Sequence, residues 1–137
     1  PSSPTLPSGM SLPHTSLLET FPTPTDAPLI IEHEAFEFTS LCPKTGHPDF
    51  GTITVRFQPR AARAGGVCVE LKSLKLYLQA FRTQGIFYEA LTDRIKNDLV
   101  ACMNPVWLQV HSRWSGRGGI KSLIRAEHGD VPARYCV

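Results

Sequence analysis

Two amphipathic helices in direct succession, with strands before and after them, constrain the fold of this chain most strongly. In residues 71–84 leucine and phenylalanine recur at helical spacing, and in residues 88–104 an apolar side chain returns at every fourth position. Gly85 between the segments and Pro105 after the second are typical helix stops. Strands, then two helices, then strands again are characteristic of an α+β fold, in which both helices lie on one face of an antiparallel sheet.

Four stretches are predicted as strands of that sheet. Residues 52–58 alternate cleanly, with apolar residues on one face and mostly threonine or arginine on the other. The remaining three are residues 30–39, 106–112 and 119–127, and a shorter strand, VCVEL, is predicted just before the first helix. Within residues 30–39, Phe36 and Phe38 are expected to share a face. A sheet of this kind has two open edges, and open edges favour assembly by edge pairing.

Length and composition indicate one folded domain behind a polar arm. The chain has 137 residues, of which 42% are hydrophobic and 19% charged, both ordinary for a globular protein. Residues 1–28 are rich in proline, serine and threonine, so we predict a flexible or surface-wrapping arm there and a single domain over residues 29–137. The net charge of +2 implies no polyelectrolyte partner such as nucleic acid, and no apolar run approaches the length of a membrane span.

The cysteines predict reduced thiols in a cytoplasmic protein. The chain has four, Cys42, Cys68, Cys102 and Cys136, which is too sparse for a disulfide scaffold, and its start has no secretion signal. Cys42 and His47 form one loose pair of zinc-type ligands. The sequence offers no convincing second pair, so we expect no metal site.

The stretch FTSLCPKTGHPDF, residues 38–50, holds a thiol and a carboxylate near each other in a loop kinked by two prolines and a glycine. Cys42 is either a buried small side chain or a nucleophile, which acts as a thiolate and needs a proton carrier nearby. Asp49 is a candidate for that carrier if the loop folds back, and His47 is a rival base. Because Pro-Asp is also ordinary turn chemistry, the residues alone leave both interpretations open.

The stretch ELKSLKLY, residues 70–77, is a candidate phosphate site. Lys72 and Lys75 lie three residues apart, so they share a face of the first helix turns. The start of a helix also presents backbone N–H groups that attract phosphate. A solvated face of an amphipathic helix has the same pattern, and that alternative stays open.

The stretch RWSGRGGIK, residues 113–121, combines glycines with basic side chains in a predicted loop between strands. Arg117 and neighbouring backbone amides suit a phosphate group. A plain hairpin loop and a contact with single-stranded RNA are the alternatives.

The stretch GIFYEAL, residues 85–91, opens the second helix with an acid. The Glu89 carboxylate is able to accept two N–H bonds from the edge of a purine-like base, and Tyr88 beside it is able to stack or donate a hydrogen bond. An acid at a helix start is also favoured by the helix dipole without any further role.

Taken in order, FTSLCPKTGHPDF, VELKSLKLY, GIFYE and RGGI closely resemble the NADPH-dependent 7-cyano-7-deazaguanine reductases of queuosine biosynthesis. The resemblance covers residues 16–130, and its most specific part is ELKSLKLY following the CPKTGxPDF stretch. It implies the tunnelling fold (T-fold) in its single-module form, assembled through sheet edges into stacked, decamer-like rings with the sites between subunits. It also implies reduction of a nitrile to a primary amine with two NADPH.

The same resemblance assigns roles to residues. Cys42 would attack the nitrile carbon to form a covalent thioimide, and Asp49 would donate the proton that accompanies this addition. The substrate-binding positions would be Val69, Glu70, Leu71, Tyr88 and Glu89, and the NADPH-binding positions would be Lys72, Ser73, Lys75, Arg117 and Gly118. At Tyr88 the familiar members of the family carry histidine, so a proton-transfer role does not carry over to that position.

Three rival functions remain. A T-fold relative that adds an amine donor to the same nitrile without a nicotinamide cofactor is disfavoured by the intact ELKSLKLY motif. A zinc-dependent cyclohydrolase is disfavoured by the missing ligand pairs. A non-catalytic purine- or RNA-binding module that uses the Arg117 stretch is disfavoured by the modest net charge.

Overall fold

The computed structural model describes residues 15–136, and within them the chain forms two α-helices, six strands and four short 3-10 turns. The helices are α1 (Leu71–Gln79) and α2 (Tyr88–Met103). The strands are β1 (Thr20–Pro22), β2 (Ile31–Leu41), β3 (Pro48–Gln58), β4 (Val67–Val69), β5 (Trp107–Arg117) and β6 (Ile120–His128). The 3-10 turns are Thr15–Leu17, Ala62–Ala64, Ala80–Thr83 and Ala133–Tyr135.

The main sheet has four antiparallel strands in the order β2-β3-β5-β6, and β1 pairs with β4 in a separate two-stranded sheet. Both helices pack against the main sheet, α1 beside β2 and α2 against β5 and β6. The predicted α+β class is therefore confirmed. All four predicted strands of the sheet are present, and β2 and β6 form its two edges.

The core lies between α2 and the middle strands of the sheet. Leu91, Ile95 and Leu99 of α2 are fully buried, as the four-residue spacing predicts, and they belong to one apolar cluster with Leu108 and Val110 of β5. Burying each of these side chains contributes roughly 1.5–3 kcal/mol, so this face holds α2 firmly on the sheet.

The ends of both helices follow local chemistry. The α2 helix closes on Asn104 in a left-handed conformation with φ 47°, and Pro105 prevents its continuation. The first helix is shorter than predicted: α1 ends at Gln79 and residues 80–83 tighten into a 3-10 turn. Leu71 at its start is 60% exposed and so does not join the buried face that the spacing predicted for it.

A β-bulge in β2 overturns the prediction that Phe36 and Phe38 share a face. Ala35 pairs with Ile53 and Phe38 pairs with Gly51, so β2 has one residue more than β3 over the same length. The extra residue reverses the alternation of β2. Phe38 is consequently 3% exposed in the core, whereas Phe36 is 71% exposed.

The described part of the predicted arm wraps onto the domain. Thr20–Pro22 forms β1 and pairs in antiparallel register with Val67–Val69, the short strand predicted before the first helix. Residues 1–14 of the arm lie outside the described residues. All four cysteines are free thiols. None of the helices between residues 15 and 136 is long and apolar enough to cross a membrane.

Candidate active site

The Cys42 stretch is a β-hairpin and not the long loop that its prolines suggested. Strand β2 continues to Leu41 and β3 begins at Pro48, so only residues 42–47 form the turn. Asp49 therefore lies on β3, paired with Ser40, where the ladder of the sheet fixes its position. Its side chain is largely buried, with 6% of the residue exposed.

Backbone hydrogen bonds close the turn around Cys42. The N–H of Cys42 donates to the carbonyl of His47 at 2.8 Å, and the N–H of Gly46 donates to the carbonyl of Cys42 at 2.8 Å. Gly46 has a φ of 72°, a left-handed conformation that favours glycine. Cys42 is therefore held at the first position of a tight turn and remains partly exposed.

The electrostatic surroundings of Cys42 favour a thiolate. Hydrogen bonding from the Thr45 hydroxyl, and then from the backbone N–H groups of Thr45 and Lys44, lowers the pKa of the Cys42 thiol. Partial desolvation and the negative charge of Asp49 oppose this effect. The carboxylate thus lies close enough to act on the sulphur. A thiol with a lowered pKa and an acid beside it is an arrangement suited to nucleophilic addition.

The segment that precedes α2 lies against the same turn. The N–H of Leu41 donates to the carbonyl of Gln84 at 2.9 Å, and the N–H of Ile86 donates to the carbonyl of Leu41 at 3.1 Å. Gly85 faces the turn, where an added Cβ would lie in ordinary van der Waals contact with the Cα of Pro43, at 3.5 Å. The structure therefore brings the GIFYEAL stretch next to the cysteine turn, although 42 residues lie between Leu41 and Gln84.

Tyr88 is fixed by a residue that the sequence did not single out. Its ring stacks on Trp114 with centroids 3.9 Å apart and planes 5° apart. Trp114 donates from Nε1 to the Ser112 hydroxyl at 2.9 Å, and the Thr92 hydroxyl donates to the Tyr88 carbonyl at 2.7 Å. Alternation in β5 places Trp114 on the core face, and this was the signal available in the sequence. Glu89 follows in the first turn of α2 and is exposed.

At the start of α1, Glu70 uses its carboxylate as a helix cap. Its two oxygens accept the N–H groups of Lys72 at 2.7 Å and Ser73 at 2.8 Å, and this bonding lowers the pKa of Glu70. The expectation that these N–H groups are free for phosphate is therefore wrong, because Glu70 already occupies them. Val69 is buried in the core, so its side chain does not line an open pocket.

A groove of about 900 Å³ runs between α1 and the edge strand β2. Its helix side carries Leu71, Lys72 and Lys75, all exposed, and its strand side carries several glutamates. The two ammonium groups remain available to an anionic ligand. A ligand entering the groove would meet lysine side chains and an exposed leucine, but no free helix N–H groups.

The glycine-rich stretch forms a tight hairpin turn and not a flexible loop. Strand β5 extends to Arg117, and only Gly118 and Gly119 lie between it and β6, with φ values of 60° and 78°. Two such residues in succession define a type I′ turn. Because Gly51 near the start of β3 pairs with Trp114 near the end of β5, this turn lies at the same end of the sheet as the Cys42 turn. The side chain of Arg117 lies outside what the structure describes.

The predicted site residues thus form two groups within one chain. Cys42, Asp49, Tyr88 and Glu89 lie at one end of the sheet, with Gly118 at that end as well. Glu70, Lys72, Ser73 and Lys75 surround the start of α1. The helix, which is roughly 14 Å long, and its 3-10 extension lead from the second group toward the first. Between residues 15 and 136, no group of three or more His, Cys, Asp or Glu side chains is arranged to hold a metal.

These features define a class of protein: an α+β enzyme domain with a cysteine of lowered pKa beside a carboxylate, and a groove on the neighbouring helix that carries exposed lysines. The family model described as QueF-like protein matches residues 48–133, more than half of the chain. The chain belongs to this family.

Relatives with one shared name cover most of the chain. NADPH-dependent 7-cyano-7-deazaguanine reductase from Anaeromyxobacter sp. (strain K) is 51% identical over 117 residues, which are 85% of this chain and 92% of the relative. The protein of the same name from Rhodopirellula baltica is 53% identical over 100 residues, 73% of this chain and 78% of the relative. The fold also resembles the crystal structure of the archaeosine synthase QueF-Like in the apo form. The TM-score is 0.64 at 23% identity, covering 80% of this chain and 99% of that chain.

Proposed function

We propose that this chain is an NADPH-dependent oxidoreductase that reduces the nitrile of 7-cyano-7-deazaguanine to the primary amine, 7-aminomethyl-7-deazaguanine, in queuosine tRNA modification. The single observation that carries the proposal is the Cys42 turn with the Asp49 carboxylate acting on its sulphur, in a chain about half identical to reductases of that name. A nitrile reacts poorly with hydride, and covalent attack by a thiolate divides the difficult step into easier ones.

The first chemical step belongs to Cys42 and Asp49. The Cys42 thiol gives its proton to the Asp49 carboxylate, and its sulphur adds to the nitrile carbon. One π bond of the nitrile breaks, and the nitrogen takes that proton from the Asp49 carboxyl. The product is a thioimide attached to Cys42. Asp49 is suited to this role because its strand position holds it beside the turn, so that addition and protonation occur together.

NADPH, when bound, supplies the two hydrides that convert the thioimide carbon to the amine carbon. Between the two reductions the carbon–sulphur bond breaks and Cys42 leaves as a thiolate, so the cysteine is regenerated in each cycle. We assign Lys72 and Lys75 to the phosphate groups of the cofactor, because both ammonium groups line the groove. Arg117 and Gly118 remain proposed cofactor contacts, and Ser73 contributes to this region from a buried position.

Glu89 and Tyr88, at the start of α2, would hold the base on the side of the site away from the α1 lysines. Glu89 is exposed and suits the N–H edge of the deazaguanine, while the Tyr88 ring is held flat against Trp114. Leu71 offers an exposed apolar surface, and we keep Val69 and Glu70 as proposed substrate contacts, partly through the backbone.

We further propose that the complete site forms between subunits of a ring. In one chain the start of α1 is a helix length away from the Cys42 turn, and β2 and β6 are open edges able to pair with other copies. Assembly through those edges, in stacked decamer-like rings, would let α1 of one subunit approach the cysteine turn of another. We place the enzyme in the cytoplasm, where thiols stay reduced, as a single domain behind the arm of residues 1–28.

The test is NADPH consumption measured at the reduced-nicotinamide absorbance band with the purified protein and 7-cyano-7-deazaguanine. We expect two NADPH oxidised per base, and an adduct on the protein when NADPH is withheld. The matched variant Cys42→Ala should show neither, while Cys102→Ala should behave as the parent. An adduct without NADPH loss would favour the amine-adding relative. Absence of both would favour a non-catalytic binding module.

A further inference from the structure

Thr45 lies in the same turn as Cys42, three residues further along, and has no role in the proposed nitrile reduction. The hydrogen bond from the N–H of Gly46 to the carbonyl of Cys42, at 2.8 Å, closes one helix-like turn over residues 42–46. In such a turn, side chains three residues apart lie on the same side. The Thr45 hydroxyl therefore projects beside the Cys42 sulphur.

The orientation of that hydroxyl is set by a second hydrogen bond. The N–H of His47 donates to Thr45 Oγ1 at 3.2 Å, so the oxygen is already used as an acceptor. The hydroxyl hydrogen is therefore free to point at Cys42. The hydroxyl donates to the Cys42 sulphur, and so do the backbone N–H groups of Lys44 and Thr45. The hydroxyl and the two N–H groups together lower the pKa of the Cys42 thiol.

The charged and titratable groups around the sulphur come from three elements. Asp49 lies on β3, and its negative charge opposes the thiolate. Lys44 and His47 belong to the turn itself, and Glu89 lies at the start of α2, beyond the segment paired with Leu41. Against the repulsion of Asp49, the Thr45 hydroxyl is the largest favourable influence on the thiolate.

We propose that Thr45 is a positioning residue for the nitrile addition, whose hydroxyl holds the Cys42 sulphur as an aimed thiolate beside Asp49. The role of Thr45 in nitrile addition rests on the proposed function, whereas its stabilisation of the Cys42 thiolate does not. Thr45 donates a hydrogen bond and loses no proton. Its bond to sulphur weakens as the sulphur loses charge in the thioimide and forms again when Cys42 leaves as a thiolate, so it also assists that departure.

The experiment measures alkylation of Cys42 by iodoacetamide from pH 5 to 10, read peptide by peptide because the chain has other thiols. The variants are Thr45→Val and Thr45→Ser, with Thr25→Val as the control. Thr25 accepts the N–H of Ala27 at 3.0 Å, which is the same kind of local bond far along the chain from Cys42. Thr45 is exposed, so these changes are compatible with folding.

For Thr45→Val we expect alkylation at pH 7 to slow by roughly three- to tenfold, the scale of one lost hydrogen bond to a charged acceptor. At high pH the rate should equal or exceed that of the parent, because a more basic thiolate is the stronger nucleophile. Thr45→Ser and Thr25→Val should follow the parent profile. Formation of the nitrile adduct without NADPH should slow by the same factor at pH 7.

Three results would overturn the proposal: an unchanged profile for Thr45→Val, an equal loss of rate at every pH, or failure of serine to restore the parent profile. An equal loss of alkylation rate at every pH would mean that the reagent reaches the sulphur less easily, and not that the thiolate is less stabilised. If the alkylation profile shifts as expected but no variant, the parent included, forms a nitrile adduct, the hold on the thiolate stands and the proposed function fails.

Discussion

The Ser73 hydroxyl accepts the backbone N–H of Glu19 at 2.9 Å and donates to the carbonyl of Glu70 at 2.7 Å. The N–H of Glu70 in turn donates to the carbonyl of Glu19 at 2.8 Å. Ser73 is 1% exposed, so its hydroxyl is used entirely within the protein. The N-terminal segment is thereby fastened to the first turn of α1, which carries Lys72.

Replacing Ser73 with alanine should therefore lower stability and disturb the start of α1. The change leaves the Glu19 N–H without its acceptor, and we expect the free energy of unfolding to fall by about 1–3 kcal/mol, measured by urea denaturation. The KM for NADPH should rise with little change in the rate of nitrile adduct formation. Ser115→Ala is the control, because Ser115 is exposed and its bond to Phe50 is long at 3.5 Å. Equal stability of the two variants would contradict the fastening role.

Removing the charges of the groove should weaken cofactor binding selectively. In Lys72→Ala/Lys75→Ala we expect the KM for NADPH to rise by roughly tenfold, since two ammonium contacts to phosphate are lost, while the affinity for the nitrile base changes little. Titration of each ligand separately measures both effects. The difference should shrink as salt is raised, because exposed charge pairs are screened.

The control for the groove is Lys96→Ala on α2; Lys96 is partly buried and pairs with the exposed Asp93 at 3.3 Å. It should bind NADPH as the parent does. Unchanged NADPH affinity in the double variant would remove both lysines from the cofactor site.

The stack of Tyr88 on Trp114 predicts that the ring matters more than its hydroxyl. Tyr88→Phe should retain the KM for the nitrile, whereas Tyr88→Ala should raise it, because an aromatic pair contributes about 0.5–1.5 kcal/mol beyond its buried area. Steady-state kinetics of the two variants checks this. A loss of kcat in Tyr88→Phe as large as that in Tyr88→Ala would assign the function to the hydroxyl.

His111 predicts a dependence of stability on pH. Burial, with help from the charges of Arg56, Arg125 and Arg113, lowers the pKa of His111 to about 4, and its Nε2 has no hydrogen-bond partner among the described residues. The ordinary pKa of this group is 6.5, and in the folded protein it is about 4. Between these two pH values the imidazole is therefore protonated more readily in the unfolded chain than in the folded protein. Stability should be lost as pH falls through that window.

Urea midpoints at pH 7 and pH 5 measure the contribution of His111. In His111→Gln the fall in midpoint between the two values should be smaller than in the parent. His47→Gln, at an exposed turn position, should keep the parent's full fall. An unchanged fall in His111→Gln would show that other groups determine the acid sensitivity.

Much of the candidate site was predictable because its motifs are local. Cys42 with Asp49, the paired lysines of α1, and the acid at the start of α2 were each visible from residue type and spacing, and the structure holds Cys42 and Asp49 in one hairpin. The partners that tune these groups were not predictable. Thr45, Trp114 and Glu19 act through contacts that depend on how turns close and which strands meet.

The helices and strands were determined by the sequence itself, because hydrophobic periodicity is a local property that neighbouring residues carry. The extent of β2 and β3 around Cys42 and the phase of β2 were decided only by the tertiary structure. A single extra residue opposite β3 moves Phe38 into the core and Phe36 to the surface, and no local signal marks it. Likewise the Ser73 hydroxyl accepts the Glu19 N–H only because β1 packs beside β4, whereas the Glu70 cap is a local bond within residues 70–73. Hydrogen bonds between distant segments exist only once the chain has folded, and they determine which polar groups remain free for chemistry.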